Sequence, residues 1–118
     1  MAYSANLDKC KEEYPFSFWY SLYEKGIGKY SKEYCEEVRD IFDDLIERLK
    51  AAESFNSNDL KVEEVKKAVL SLNKIRDTKP FLIETMEREE FCDLFDSICE
   101  AAEIKKLPSD FTLQWRNW

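Results

Sequence analysis

Between Ser31 and Ser54 the chain reads SKEYCEEVRDIFDDLIERLKAAES, and apolar residues return at Tyr34, Val38, Ile41, Phe42, Leu45, Leu49 and Ala52. That is the 3.6-residue period of a helix, held over most of the segment, with one stripe to bury. Ser31 is a natural N-cap. Glu33 places negative charge in the first turn, where the helix dipole favours it. Turn residues are scarce in the whole chain, with two glycines and three prolines among 118 residues. A β-sandwich or barrel needs many turns at short intervals, so few, long elements are expected.

The remaining segments fit that expectation. In LKVEEVKKAVLSLNKIRD the stripe is Val62, Val65, Val69 and Leu72, with Ala68 and Ile75 at its edge. Asn58 or Asp59 caps it, and Pro80 ends it by disfavouring helical geometry at Lys79. Leu70 falls off the stripe, as a second contact or an exposed leucine. In MEREEFCDLFDSICEAAEIKK the buried face is Phe91, Leu94, Phe95, Ile98 and Ala102, and Thr85 is the expected cap. In the closing DFTLQWRNW, Phe111, Trp115 and Trp118 stand at i, i+4 and i+7, one face of a short helix. Near the start, Pro15 suits a first helical turn and Gly26 or Gly28 a helix end, with a separate helical turn over 5–13. The sum is an all-α, single-domain helical bundle over residues 1–118, with about four main helices and a short C-terminal one.

The stretch YPFSFWYSLY carries aromatics at Tyr14, Phe16, Phe18, Trp19, Tyr20 and Tyr23. At about 100° per residue, Phe16, Trp19 and Tyr23 share one helical face with Leu22 close by. Phe18 and Tyr20 flank Trp19 on either side. The aromatic arc is wider than the stripe of about 100° that a peripheral helix buries. Either this helix is central, or one edge faces outward. Phe18 and Tyr20 are the candidates for exposure and for an interface, since tyrosine and tryptophan are favoured anchors there.

Two helices carry acid along one side, opposite their apolar faces. The first stripe is Glu33, Glu37, Asp40, Asp44 and Glu47; the second is Glu89, Asp93, Asp96, Glu100 and Glu103. Each is either a solvated face or a negative field that steers a cationic partner. Net charge is −7, and no basic footprint for direct nucleic-acid binding is visible.

Much chemistry is absent from the sequence. There is no histidine, which removes Ser-His-Asp and Cys-His activation and the usual zinc and di-iron ligand sets. With two glycines no phosphate-cradling loop exists. The four cysteines, Cys10, Cys35, Cys92 and Cys99, show no CxxC spacing and read as reduced, buried thiols. No apolar run is long enough to cross a membrane, and the start has no secretory h-region, so a cytoplasmic location is expected.

The segments LIETMEREEFCDLFDSICEAAEI and DFTLQWRNW resemble the C-terminal part of small, functionally uncharacterised bacterial proteins. The resemblance rests on Ile83, Glu84, Thr85, Arg88 and Glu89, then on Trp115, Arg116 and Trp118. It implies a bacterial or phage origin and a soluble helical fold, and it supplies no activity. Physically, Trp115 and Trp118 are expected to close the open end of the core, and Arg116 to pair with Glu84 or Glu89 or to stand free.

These readings point to a non-catalytic acidic binding protein, with no cofactor and no metal. Its partner is expected to be a basic protein, such as a bacterial toxin or nuclease, and the free chain a monomer or weak homodimer. The candidate docking residues are Phe18, Tyr20, Glu37, Asp40, Asp44, Glu47, Glu89, Asp93, Asp96 and Glu100. A self-associating helical module and a nucleic-acid mimic are the alternatives.

Overall fold

The computed structural model describes residues 2–26, 30–53, 57–79, 83–105 and 111–118, and the backbone of 54–55. Five α-helices occur among them: α1 (Ala2–Lys9), α2 (Phe16–Glu24), α3 (Lys32–Ala51), α4 (Asn58–Thr78) and α5 (Thr85–Ala101). Short 3-10 turns follow α1 (Cys10–Glu13) and α3 (Ala52–Phe55), and another forms the tail (Phe111–Gln114). The described residues contain no strand. The all-α bundle expected from the sequence is what the chain forms.

α1 is a full helix rather than a turn over 5–13. It buries Tyr3, Leu7 and, at its end, Cys10, an i, i+4, i+7 pattern that a 3.6-residue period aligns on one face. The tail differs too. Its helical part stops at Gln114, so Trp118 reaches the core from beyond the helical turn rather than from a helical face.

Helix ends follow local chemistry. Ser31 Oγ accepts the Tyr34 N–H at 3.1 Å and caps α3 as expected. α4 is capped by Ser57, whose Oγ accepts the Leu60 N–H at 3.3 Å, not by Asn58 or Asp59. α5 is capped by Glu84, not by Thr85. The Glu84 N–H donates to Glu87 Oε1 at 2.8 Å in a reciprocal capping box. α2 stops at Glu24, and Gly26 follows its cap Lys25 with a φ of +76°, open to glycine at no steric cost. Gly28 and Pro80 lie outside the described residues.

α3 is the central helix, packed against α1, α2 and α4. It faces α5 across the core through rings. Phe42 meets Phe91 at 5.8 Å and Phe95 at 5.0 Å between centroids, and meets Phe16 of α2 at 5.9 Å. α3 buries Cys35 and Ile46 beyond its expected stripe, while Ile41 is half-buried; in α4, Val62 is half-buried and Leu70 is exposed. Fully burying one such apolar side chain is worth roughly 1.5–3 kcal/mol, and Phe42, Phe91 and Phe95 are fully inside.

Two charged side chains lie inside this frame. Lys61 Nζ donates to the Ala102 carbonyl at 2.8 Å, at the C-terminal end of α5, and sits 4.8 Å from the Tyr3 ring centroid. Tyr3 in turn donates to the Leu49 carbonyl at 2.6 Å. This knot ties α1, α3, α4 and α5 at one end. Glu87, also buried, accepts from the Tyr30 hydroxyl at 2.6 Å and ties the approach to α3 to the start of α5.

Candidate partner-binding surfaces

α2 sorts its aromatics by the helical wheel, with one correction. Phe16 and Trp19 are buried, and Trp19 stacks on Tyr30 at 4.7 Å and on Tyr34 at 6.2 Å. Leu22 and Tyr20 are half-buried against the core. Tyr23 was expected inside, but it is 46% exposed. It stands in the last turn of a helix that stops at Glu24. Phe18 is 63% exposed.

Phe18 and Tyr20 do not form one edge. Two residues apart on a helix, they point about 160° away from each other. Tyr20 instead stacks with Tyr23 at 6.4 Å, so the aromatic surface is a tyrosine pair, and Phe18 stands apart on the other flank.

The α3 stripe is exposed at Glu33, Glu37, Asp40, Asp44 and Glu47. Its members are not equivalent. Glu47 lies 3.3 Å from Lys50 and 3.9 Å from Lys11, and both lysines also reach Asp8. Two acids and two lysines cancel there. Glu33, Glu37, Asp40 and Asp44 make no ion pair among the described residues, which leaves a run of uncompensated charge over three helical turns.

The α5 stripe is exposed at Glu89, Asp93, Asp96, Glu100 and Glu103. Glu103 lies beyond the helix, in its closing turn, at φ +58°. Each stripe lies opposite its helix's apolar face, and those faces meet across the core through Phe42, Phe91 and Phe95. The two stripes therefore look outward from opposite sides of the bundle. One flat partner surface cannot cover both.

The tail packs against the start of α5 and against α4. Trp118 is buried and meets Phe91 edge-on at 5.7 Å, while the half-buried Trp115 meets Phe111 at 6.1 Å. Arg88 Nε donates to the Trp118 main-chain oxygen at 2.8 Å. Arg116 donates to that same oxygen at 2.6 Å and to Thr112 Oγ1 at 3.2 Å, and its guanidinium lies 5.4 Å from the Trp118 ring centroid. Asn73 and Asp77 of α4 fasten Trp115 and Asn117. Glu84 serves the α5 cap, and Thr85 is an exposed first-turn residue. The junction closes the core.

The cysteines are free thiols, three of them buried. Burial pushes the Cys10 thiol up to about 11 and the Cys99 thiol up to about 12, and it raises Cys35 too. A thiol held neutral is a poor nucleophile and a poor metal ligand. Among the described residues no group of three or more cysteines and carboxylates could hold a metal ion, and no helix is long and apolar enough to cross a membrane.

Sequence reasoning missed Lys61 and Glu87 as buried groups and Tyr23 as an exposed one. It also missed a cleft between α2 and α3, whose lining residues Lys32, Glu36 and Arg39 carry no motif. Comparison with protein-family models, with curated proteins and with solved structures returns no match.

Proposed function

We propose that the chain is a non-catalytic acidic binding protein, of inhibitor or immunity type, that neutralises a basic protein partner such as a bacterial toxin or nuclease. The observation that supports it is the α3 stripe. Glu33, Glu37, Asp40 and Asp44 are exposed and lack a cationic partner among the described residues. Like charges at helical spacing repel by some tenths of a kcal/mol per pair, and a basic partner relieves that cost. The Tyr20–Tyr23 pair lies on the neighbouring helix and offers aromatic anchors beside the charge. In this reading the α5 stripe, on the far side, adds long-range attraction and solubility without contact. The free chain is a monomer in the cytoplasm, where thiols stay reduced.

The test compares three forms of the chain as baits in the source cell, using cross-linking capture. The wild-type chain should retain a basic protein, and raising salt should weaken the association chiefly through its on-rate. Glu37→Lys combined with Asp40→Lys and Asp44→Lys should abolish capture. Asp93→Lys with Glu100→Lys should leave most of it. Equal loss from both variants would replace a docking face by a general charge effect. Association that ignores salt would remove the electrostatic reading altogether.

A further inference from the structure

α2 and α3 leave an open cleft of about 230 Å³ between them, lined by Phe16, Ser17 and Tyr20 on one side and Lys32, Cys35, Glu36 and Arg39 on the other. Its depth is apolar. The Phe16 ring is fully buried, the Tyr20 ring is half-buried, and burial keeps the Cys35 thiol neutral. Its mouth carries two cations, in a chain whose net charge is −7.

Arg39 differs from the other described arginines in what it meets. Arg48 pairs with Glu64, and Arg76, Arg88 and Arg116 each donate to a main-chain oxygen. Arg39 and Lys32 make no ion pair among the described residues. Arg39 is half-buried, and it spends one donor on Ser17 Oγ at 3.2 Å. Its natural helical partner at i+4, Asp43, instead accepts the Tyr14 hydroxyl at 2.8 Å. A guanidinium has five N–H donors in a rigid fork suited to a planar carboxylate. Among the described residues four of the five have no acceptor, at the edge of an aromatic-walled space.

We propose that this cleft binds a small aromatic carboxylate. Its ring lies against Tyr20 over the apolar floor of the cleft, and its carboxylate meets the Arg39 fork, with Lys32 adding charge from the rim. Size agrees, because a cavity of about 150 Å³ holds benzene, which leaves room for one carboxylate. Glu36 sets the selectivity. It lies in the same wall and repels a second negative charge, so a monoanion is preferred over a dianion. The site lies on a different side of α3 from the acid stripe but shares Tyr20 with the tyrosine pair beside it, and its chemistry does not depend on the partner proposed above.

Benzoate titrated into the full chain, followed residue by residue by NMR, tests this. Saturable shifts are expected at Phe16, Ser17, Tyr20, Cys35 and Arg39, with a dissociation constant on the order of 1 mM for a ligand of this size. Benzamide, the same shape without charge, should bind at least about tenfold more weakly. Arg39→Gln should weaken benzoate by about tenfold while leaving benzamide unchanged, and Lys32→Gln should weaken benzoate by less. Glu36→Gln should tighten benzoate and admit phthalate, a dianion. Equal binding of benzoate and benzamide would overturn the proposal, because the cations would then be idle. So would shifts spread over surface lysines, or no saturation below about 20 mM.

Discussion

The two faces of α2 are built from the same residue types and do opposite things. Phe16 and Trp19 face inward, and each meets further rings, among them Phe42, Tyr30, Tyr34 and Phe91. Phe18 and Tyr23 face outward, and among the described residues their one ring contact is Tyr23 with Tyr20. Aromatic content alone therefore says nothing about role in this helix; its direction does. A ring surrounded by rings is part of the scaffold. A ring at the surface of a small helix is free to serve contact with something else.

The largest effect should come from breaking the inward face. Trp19→Ala should cost about 3–5 kcal/mol, the usual range for truncating a large buried aromatic. It opens a gap against Phe16, Tyr30, Tyr34 and Phe91 together. Phe18→Ala, on the same helix one residue away, should move stability by no more than about 0.5 kcal/mol. Urea unfolding of both variants decides. A Phe18→Ala loss above about 2 kcal/mol would show that the outward ring is scaffold after all.

A smaller effect should separate the polar handles of buried and exposed tyrosines. Tyr30 donates to the buried Glu87 carboxylate. Tyr30→Phe keeps the ring on Trp19 and removes one hydrogen bond to a buried carboxylate, at a cost of about 1–3 kcal/mol. Tyr23→Phe should cost almost nothing. The same contrast appears with pH. Burial, and then the bond to Glu87, raises the Tyr30 hydroxyl above its ordinary value of 10.0, and burial raises Tyr3 to about 12. A folded value above the unfolded one favours the neutral phenol in the native state. That stability is complete below about pH 10 and is lost as pH rises through the folded values. Denaturation followed from pH 8 to 12 should show the loss, and Tyr30→Phe should remove part of its slope.

The same contrast marks where sequence stops being readable. α3 and α5 were legible because one apolar stripe repeats for many turns, so an error at one position does not move the face. α2 spans only Phe16–Glu24, and Tyr23 was placed inward by period alone, although the helix ends before a neighbour can cover it. Caps were legible where one candidate stood alone, as at Ser31. They were not where Ser57, Asn58 and Asp59, or Glu84 and Thr85, stand together, because the choice depends on backbone angles that tertiary packing sets. α1 had a readable signal in Tyr3, Leu7 and Cys10. The buried Lys61 and Glu87 had none. A charged residue reads as surface unless its partner is known, and the partners, Ala102 and Tyr30, come from distant segments. The α3 stripe was legible as acid, but the approach of Lys11 to Glu47 depended on where the turn after α1 packs.

The smallest effect concerns the paired charge of the outer surface, as a counterweight to the inner ties. Glu64 accepts from Arg48 of α3 and from Lys67 one turn on. Burial pushes its carboxyl up, yet the hydrogen bonds from Lys67 and Arg48 outweigh that and hold it below the ordinary 4.5. A depressed folded value favours the ionised form in the native state. Its contribution is present above about pH 4.5 and fades as pH falls through the folded value. A half-buried pair at the rim of the helices is still worth roughly 1 kcal/mol. Glu64→Gln should therefore lower stability slightly at pH 7 and flatten the acid limb of the stability curve below pH 4.5. A cost above about 2 kcal/mol would place this pair with Glu87 and Lys61, among the ties that hold the helices together. A cost near zero would leave α3 anchored to α4 by its buried stripe alone.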